Sequence, residues 1–409
     1  MPRRARRANN QPGPVMSSVH QQPGRNIAIA ALAFFTLVDL FATQAILPVL
    51  AGAYGASPRA TAFAVNSSTI GMAIASLGVA TFASRIDRRR GVAVSLVALA
   101  VPTAALAFAP DLTAFAVLRI AQGLCMATAF ALTLADIGEH SAPKDVASAF
   151  AAYVTGNVAS NLVGRLMAAA FVHHLGVAGS FICFAGLNLI GAAFAFGVIE
   201  GSPRMISPSR GPGLQWRRHL ATPALPAAFG VGFCILFAFV GTFSYVNFVL
   251  ARPPLGLGMM QIGFVYLVFA PSIVTTPLAG RLVARMGSRN AVWLGLALAC
   301  LGVLLTLGGA IAIVLVGLAL VGIGTFLAQA VTTGYVGRAA ETDRGGAGAL
   351  YLASYFTGGV AGAAVLGRLF DGFGWTACQL GVFAALSLAA ALARRFELEP
   401  AVAMARPAN

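Results

Sequence analysis

A carboxylate and a guanidinium sit in this chain where they have little access to water. Asp39 falls inside an apolar run at 26–50, and Arg119 inside another at 112–135. Charge at bilayer depth is costly, and where it persists it marks an ion path, a proton relay or a partnered pair. At 1.5 Å per residue Asp39 lies roughly 20 Å along its run, past the middle, and Arg119 roughly 10 Å from the matching end of its own. The two depths are compatible with a pair. Thr36, Asp39 and Thr43 share one helix face, and Gln122 and Met126 continue the face of Arg119. Such a face turns toward a wet cavity or another helix, because lipid would leave its polar groups unsatisfied. Asp39 is thus a candidate proton-coupling group with Arg119 beside it. The competing reading is a permanently ionised partner of Arg119 with no part in turnover.

A second stretch carries both small and polar stripes. Residues 153–165, YVTGNVASNLVGR, recur as YFTGGVAGAAVLGR at 355–368. In the first copy Gly156, Ser160 and Gly164 recur every four residues and line one helix face, where a neighbouring backbone can approach closely in lipid. In the second, Gly358 and Gly362 form one stripe and Gly359, Ala363 and Gly367 the next. Beside the first small stripe run Asn157, Asn161 and Arg165, answered at the end of the second copy by Arg368. Arg165 and Arg368 lie near the ends of their runs, so snorkelling to the headgroups is the expectation, with Asp371 one turn beyond Arg368. Their repetition leaves a gating role open. Further candidates for a substrate cavity are Gln44, Asn66, Tyr245, Asn247, Gln329 and Tyr355. A mostly apolar wall with scattered amides and phenols suits an amphipathic solute better than a phosphate. No acid in the second half lies at membrane depth, so carboxylate-based coupling would rest on Asp39.

These residues need helices to position them. Of 409 residues 58% are hydrophobic and 10% charged, with a mean hydropathy of +0.84. That is an all-α polytopic membrane protein. Further apolar runs at 61–83, 91–109, 147–172 and 176–198 make six with the two above, and six more follow at 223–250, 261–283, 291–309, 311–337, 346–370 and 375–393. The chain therefore divides into a basic tail (1–24), a six-helix bundle (25–199), a Pro, Gly, Ser and Arg-rich linker (200–222), a second six-helix bundle (223–395) and a short tail (396–409). The net charge of +15 sits in clusters between the runs, and alternate threading brings almost all of it to one side. Both termini and the linker are accordingly expected in the cytoplasm, and nucleic acid is not an expected partner. The five cysteines lie within apolar runs without metal-ligand spacing, so neither a metal nor a cofactor is expected. No H-E-x-x-H, nucleophile elbow or phosphate loop points to an enzyme.

Six plus six helices, a basic linker and an internal repeat resemble the major facilitator superfamily of secondary transporters. The loop at 280–289 carries Gly280, Arg285, Gly287 and Arg289 and is similar to the G-x-L-a-D-R-x-G-R-R signature of that family. Its counterpart at 80–89 keeps Arg85, Arg88 and Arg89. Both depart from the pattern, since the signature aspartate is Ser84 in one and Ala284 in the other, and Asp87 takes the usual glycine position. Leu118, Arg119, Gln122 and Gly123 resemble the L-R-x-x-Q-G motif of proton-coupled members. Gly156-Asn157 with Gly164-Arg165 looks like the bacterial arabinose-efflux and multidrug-efflux branch. The resemblance implies alternating access around a central site, with protons exchanged for a small organic molecule across the bacterial inner membrane, by a monomer. A sugar or neutral-solute facilitator or symporter is the alternative within transport.

Overall fold

The computed structural model describes residues 22–82, 86–140, 146–199, 212–221, 223–253, 255–340 and 344–396. The outer parts of both tails, most of the linker, and Ser84, Arg85, Lys144, Glu341 and Asp343 lie outside the described residues. Everything long is helical. Nine helices among the described residues are long and apolar enough to cross a membrane: α1 (Gly24–Ala45), α2 (Pro58–Val79), α3 (Arg88–Phe108), α4 (Leu112–Ile137), Ser148–Val198, Ala224–Ala251, Met259–Leu305, Ile311–Ala339 and Gly345–Arg395. Three of these are about twice membrane length, and each turns back at one glycine in the left-handed region: Gly176 (φ 73°), Gly287 (φ 78°) and Gly374 (φ 80°). A side chain is strained at that φ, which is why glycine occupies all three hairpins. Dividing them there gives α5 (148–175), α6 (177–198), α7 (Ala224–Ala251), α8 (259–286), α9 (288–305), α10 (Ile311–Ala339), α11 (345–373) and α12 (375–395), hence twelve spans.

Capping residues set several starts. Ser57 accepts from the amide of Ala60 at 3.2 Å, with Pro58 at the first position of α2. Asp87 accepts from the amide of Arg90 at 2.9 Å and begins α3. The aspartate at the usual glycine position therefore works as a helix cap. Two spans are less regular than their apolar runs suggest. A short helix, Leu47–Tyr54, follows α1, and α8 is broken into short α and 3-10 segments where Pro271 and Pro277 interrupt its hydrogen bonds.

The small stripes are close crossings. A Cβ added at Gly156 would overlap the carbonyl oxygen of Ala30 on α1, and one at Gly164 would lie 3.1 Å from that of Val38. In the second half, Cβ atoms at Gly358 and Gly362 would collide with the carbonyls of Phe233 and Phe237 on α7. The α1–α5 and α7–α11 pairs are thus the same crossing built twice, and backbone contact replaces the missing side chains as the source of packing in lipid. Gly71 with Gly123 does the same for α2 and α4. Between the bundles α11 packs on α2, and α5 on α8. Val101, Val274 and Phe108 are more than two-thirds exposed and belong to the lipid-facing surface.

Candidate functional site

Asp39 is 2% exposed and lies inside the first bundle. Its Oδ2 accepts from Asn188 Nδ2 on α6 at 2.7 Å and from the Thr103 hydroxyl on α3 at 2.8 Å, while Oδ1 has no hydrogen-bond partner. Gln122 Nε2 donates to Thr103 Oγ1 at 2.7 Å and lies 3.5 Å from Asp39 Oδ2. Arg119, fully buried, does not bond the carboxylate. Its Nη1 reaches Gln122 Oε1 at 2.6 Å and the backbone carbonyl of Asp39 at 3.2 Å, its Nε the carbonyl of Val65 at 2.8 Å, and its Nη2 the Ser68 hydroxyl at 3.1 Å. The pairing expected from depth is therefore indirect: charges share one cluster and Gln122 bridges them. Sequence reasoning missed Thr103 and Asn188. One threonine or asparagine in an apolar helix is more often a packing hydrogen bonder, so neither gave a distinguishing signal.

A second polar cluster joins the two bundles at the end away from the linker. Gln44 Nε2 donates to Asn66 Oδ1 at 2.7 Å, and Asn66 Nδ2 reaches Ser244 Oγ on α7 at 3.1 Å. Asn247 donates to the carbonyl of Gln44 at 3.1 Å and accepts from the Tyr266 hydroxyl on α8 at 2.5 Å. Arg165 closes the ring. It donates to Asn161 Oδ1 at 2.7 Å and Gln44 Oε1 at 2.6 Å, and its guanidinium lies 4.0 Å from the centre of the Tyr266 ring. Arg165 is fully buried and does not snorkel, contrary to the sequence expectation. Its side of the helix faces α1 and α8, where amides and an aromatic ring take the place of headgroups. Arg368, its counterpart, is exposed and forms no ion pair with Asp371.

On the linker side of this seal the bundles part. A small apical void of about 50 Å³ adjoins a chamber of about 490 Å³, and Phe130, Asn157, Phe326, Gln329 and Leu352 line both. Gln44 and Tyr355 border the apex, and Tyr153 and Tyr351 the chamber. No charged side chain lines either among the described residues. Of the expected cavity residues, Gln44, Asn157, Gln329 and Tyr355 thus face the void between bundles. Asn66, Asn161 and Asn247 belong to the seal, and Gln122 and Thr43 stand beside Asp39 around a small gap in the first bundle. Thr36 bonds the Leu32 carbonyl of its own helix at 2.8 Å, Met126 is packed in the core, and Tyr245 ties α7 to the Ala363 carbonyl of α11 at 2.6 Å.

A family model described as the Major Facilitator Superfamily matches residues 29–270 and 255–408, almost the whole chain. The chain belongs to that superfamily. Relatives include the MFS-type transporter YybF of Bacillus subtilis, 26% identical over 352 residues and covering 85% of this chain and 87% of that one. The inner membrane transport protein YnfM of Escherichia coli is 26% identical over 366 residues, covering 89% and 87%. Among solved structures, a bacterial homologue of the human lysosomal transporter Spinster, in an inward-facing and occupied conformation, superposes with a TM-score of 0.71 at 13% identity, over 93% of this chain and 98% of that one. The likeness extends to the fold. As a facilitator-superfamily protein the chain is a multi-pass membrane transporter and not an enzyme.

The superfamily's loop signature is readable in the second half. Gly287 makes the α8–α9 hairpin, Arg338 at the end of α10 donates to Ser288 at 2.7 Å, and Arg289 lies 5.2 Å from the ring of Trp293. Arg285 and Gly280 are exposed. In the first half Arg89 donates to the Phe196 carbonyl at 2.6 Å and stacks on that ring at 4.0 Å, which ties the start of α3 to the end of α6. Arg88 is buried beside it.

Proposed function

We propose that this transporter exports a small amphipathic organic molecule in exchange for protons, as a monomer of the bacterial inner membrane with tails and linker in the cytoplasm. The units that move are the bundles at 25–199 and 223–395, and the efflux branch named by the helix 5 motif remains the reading for its kind. The observation that carries the proposal is Asp39: a buried carboxylate held by hydroxyl and amide donors, with a guanidinium one residue away through Gln122. The Thr103 hydroxyl supplies a way to accept a proton there. Its oxygen lies 2.8 Å from Asp39 Oδ2 and 2.7 Å from the Leu99 carbonyl, and it has one hydrogen to give. With Asp39 ionised the hydrogen points to the carboxylate. Once Asp39 is protonated, the hydroxyl turns to Leu99 and accepts from the acid. Asp39 and Arg119 then form the coupling group, while Asn157, Gln329 and Tyr355, with Gln44 at the apex, meet the cargo. The aromatic, uncharged chamber supports an amphipathic or neutral cargo, and its volume lies in the range of small-molecule pockets. The same lack of charge favours, as a second reading, a facilitator of neutral solutes.

Flux in proteoliposomes separates the two. Asp39→Asn keeps the shape of the protonated acid, so it is expected to bind cargo and equilibrate it down a gradient while uphill, pH-driven accumulation falls to background. Undiminished accumulation by Asp39→Asn would remove Asp39 from the mechanism and leave the facilitator.

A further inference from the structure

At the end away from the linker, a groove of about 400 Å³ lies between the first turn of α2 and the last turns of α11, one helix from each bundle. Two arginines border it, Arg59 and Arg368, together with Asp371, Ser57 and Phe63. Both arginines are exposed, and neither forms a hydrogen bond or ion pair with another described residue. The stem of Arg59 crosses α11 at Gly367, where an added Cβ would come within 2.8 Å of its Cγ. The same Cβ would overlap the Tyr245 hydroxyl, so glycine here lets α11 approach both α7 and the stem of Arg59. Arg368 lies about 9 Å short of the turn at Gly374, which is headgroup depth. The positive end of the helix Pro58–Asn66 adds to the same field.

We propose that this groove binds the phosphodiester of an anionic phospholipid and that the bound lipid ties the bundles together at this end. Each guanidinium presents a planar fork of donors that fits phosphate oxygens. The charge balance selects the kind of phosphate. Two arginines and Asp371 leave one net positive charge, which a phosphodiester with one negative charge neutralises. Inorganic phosphate, which carries more than one negative charge on average at neutral pH, would place excess negative charge against Asp371. Phe63, 39% exposed at the lipid-facing side, gives the glycerol and acyl carbons an apolar contact. Because α2 and α11 belong to different bundles, the groove exists only while their ends are together, so its occupant favours the arrangement seen here.

The test uses the full chain in nanodiscs of phosphatidylcholine with or without phosphatidylglycerol. Native mass spectrometry should show phosphatidylglycerol retained on the parent protein, with retention lowered about tenfold by Arg59→Gln with Arg368→Gln. Arg59→Lys with Arg368→Lys should retain an intermediate amount, because charge survives without the fork. Spin labels at Ala56 and Gly372 should report a larger close-distance population when phosphatidylglycerol is present, and the glutamine pair should abolish that lipid effect. Both arginines are exposed, so folding is checked directly by the elution profile of each variant. Equal phosphatidylglycerol retention by the parent and the glutamine pair would overturn the proposal. So would displacement of the lipid by inorganic phosphate, which would mark a site for a free anion, or by phosphatidylethanolamine, which would mark a zwitterion site.

Discussion

Arg165 shows what a side chain's depth leaves out. Its place near the end of a run pointed to the headgroups, and only its rotation about the helix axis, settled by the α1–α5 crossing, turns it into the seal. Asp39, Arg119 and Gln122 were legible for the opposite reason: a charge in an apolar run needs partners wherever it points. The identity of those partners was not legible, since Thr103 and Asn188 look like ordinary hydrogen bonders until the bundle brings them to one carboxylate. The seal makes a residue-scale prediction. Removing the guanidinium in Arg165→Gln leaves Gln44 Oε1 and Asn161 Oδ1 without their donors in a buried site, at a cost of about 1–3 kcal/mol to the sealed state. With a cysteine at Leu236, which lines the apical void just inside the seal, in a background lacking the native cysteines, labelling by an impermeant maleimide from the sealed side is expected to rise about tenfold. Arg165→Lys should behave like Arg165→Gln, because one ammonium cannot reproduce the fork that spans Asn161 and Gln44. A rate equal to the parent's in both would show that the seal does not depend on Arg165.

Elements were the most readable level. The twelve spans follow from run lengths, and the small stripes from a period that only a helix turns into a face. The breaks were harder to read: Pro271 and Pro277 in α8 lie within an apolar run that hydropathy alone treats as continuous, and a single glycine marks each tight hairpin no more strongly than glycines elsewhere. The twin crossings support a paired prediction. Gly156→Leu and Gly358→Leu both force a side chain against a carbonyl of the partner helix, so each should separate its helix pair and lower transport by about tenfold or more at similar membrane insertion. Gly186→Leu, on an exposed face of α6 with open space around it, is the control and should transport like the parent. If Gly156→Leu matched that control, the close approach of α1 and α5 would have no part in turnover.

The relation between the bundles could not be read from the sequence at all, because Gln44, Asn66, Ser244, Asn247 and Tyr266 are spread over four helices with nothing in their spacing to say that they meet. Their meeting defines the state of the whole molecule: sealed by hydrogen bonds at one end, with a chamber toward the linker. Alternating access requires the seal to break in every cycle, so a covalent link across it should stop transport without unfolding the protein. Asn66 Nδ2 and Ser244 Oγ are 3.1 Å apart, so Asn66→Cys with Ser244→Cys puts one thiol on each side of the seal, where oxidation can test for a link. In a background without the native cysteines, oxidation of that pair is expected to reduce transport to background, and a reductant to restore it, while either single substitution stays sensitive to neither. A third cysteine at Gly337, which lines the chamber, should remain reactive in the oxidised protein, from the inner face in inside-out vesicles and not from the outer face of right-side-out ones. A cytoplasmic position for that end is the orientation proposed above, supported by the positive-inside rule. Full transport with the link in place would mean that the bundles do not part at this seal, and labelling from the opposite face would reverse the orientation.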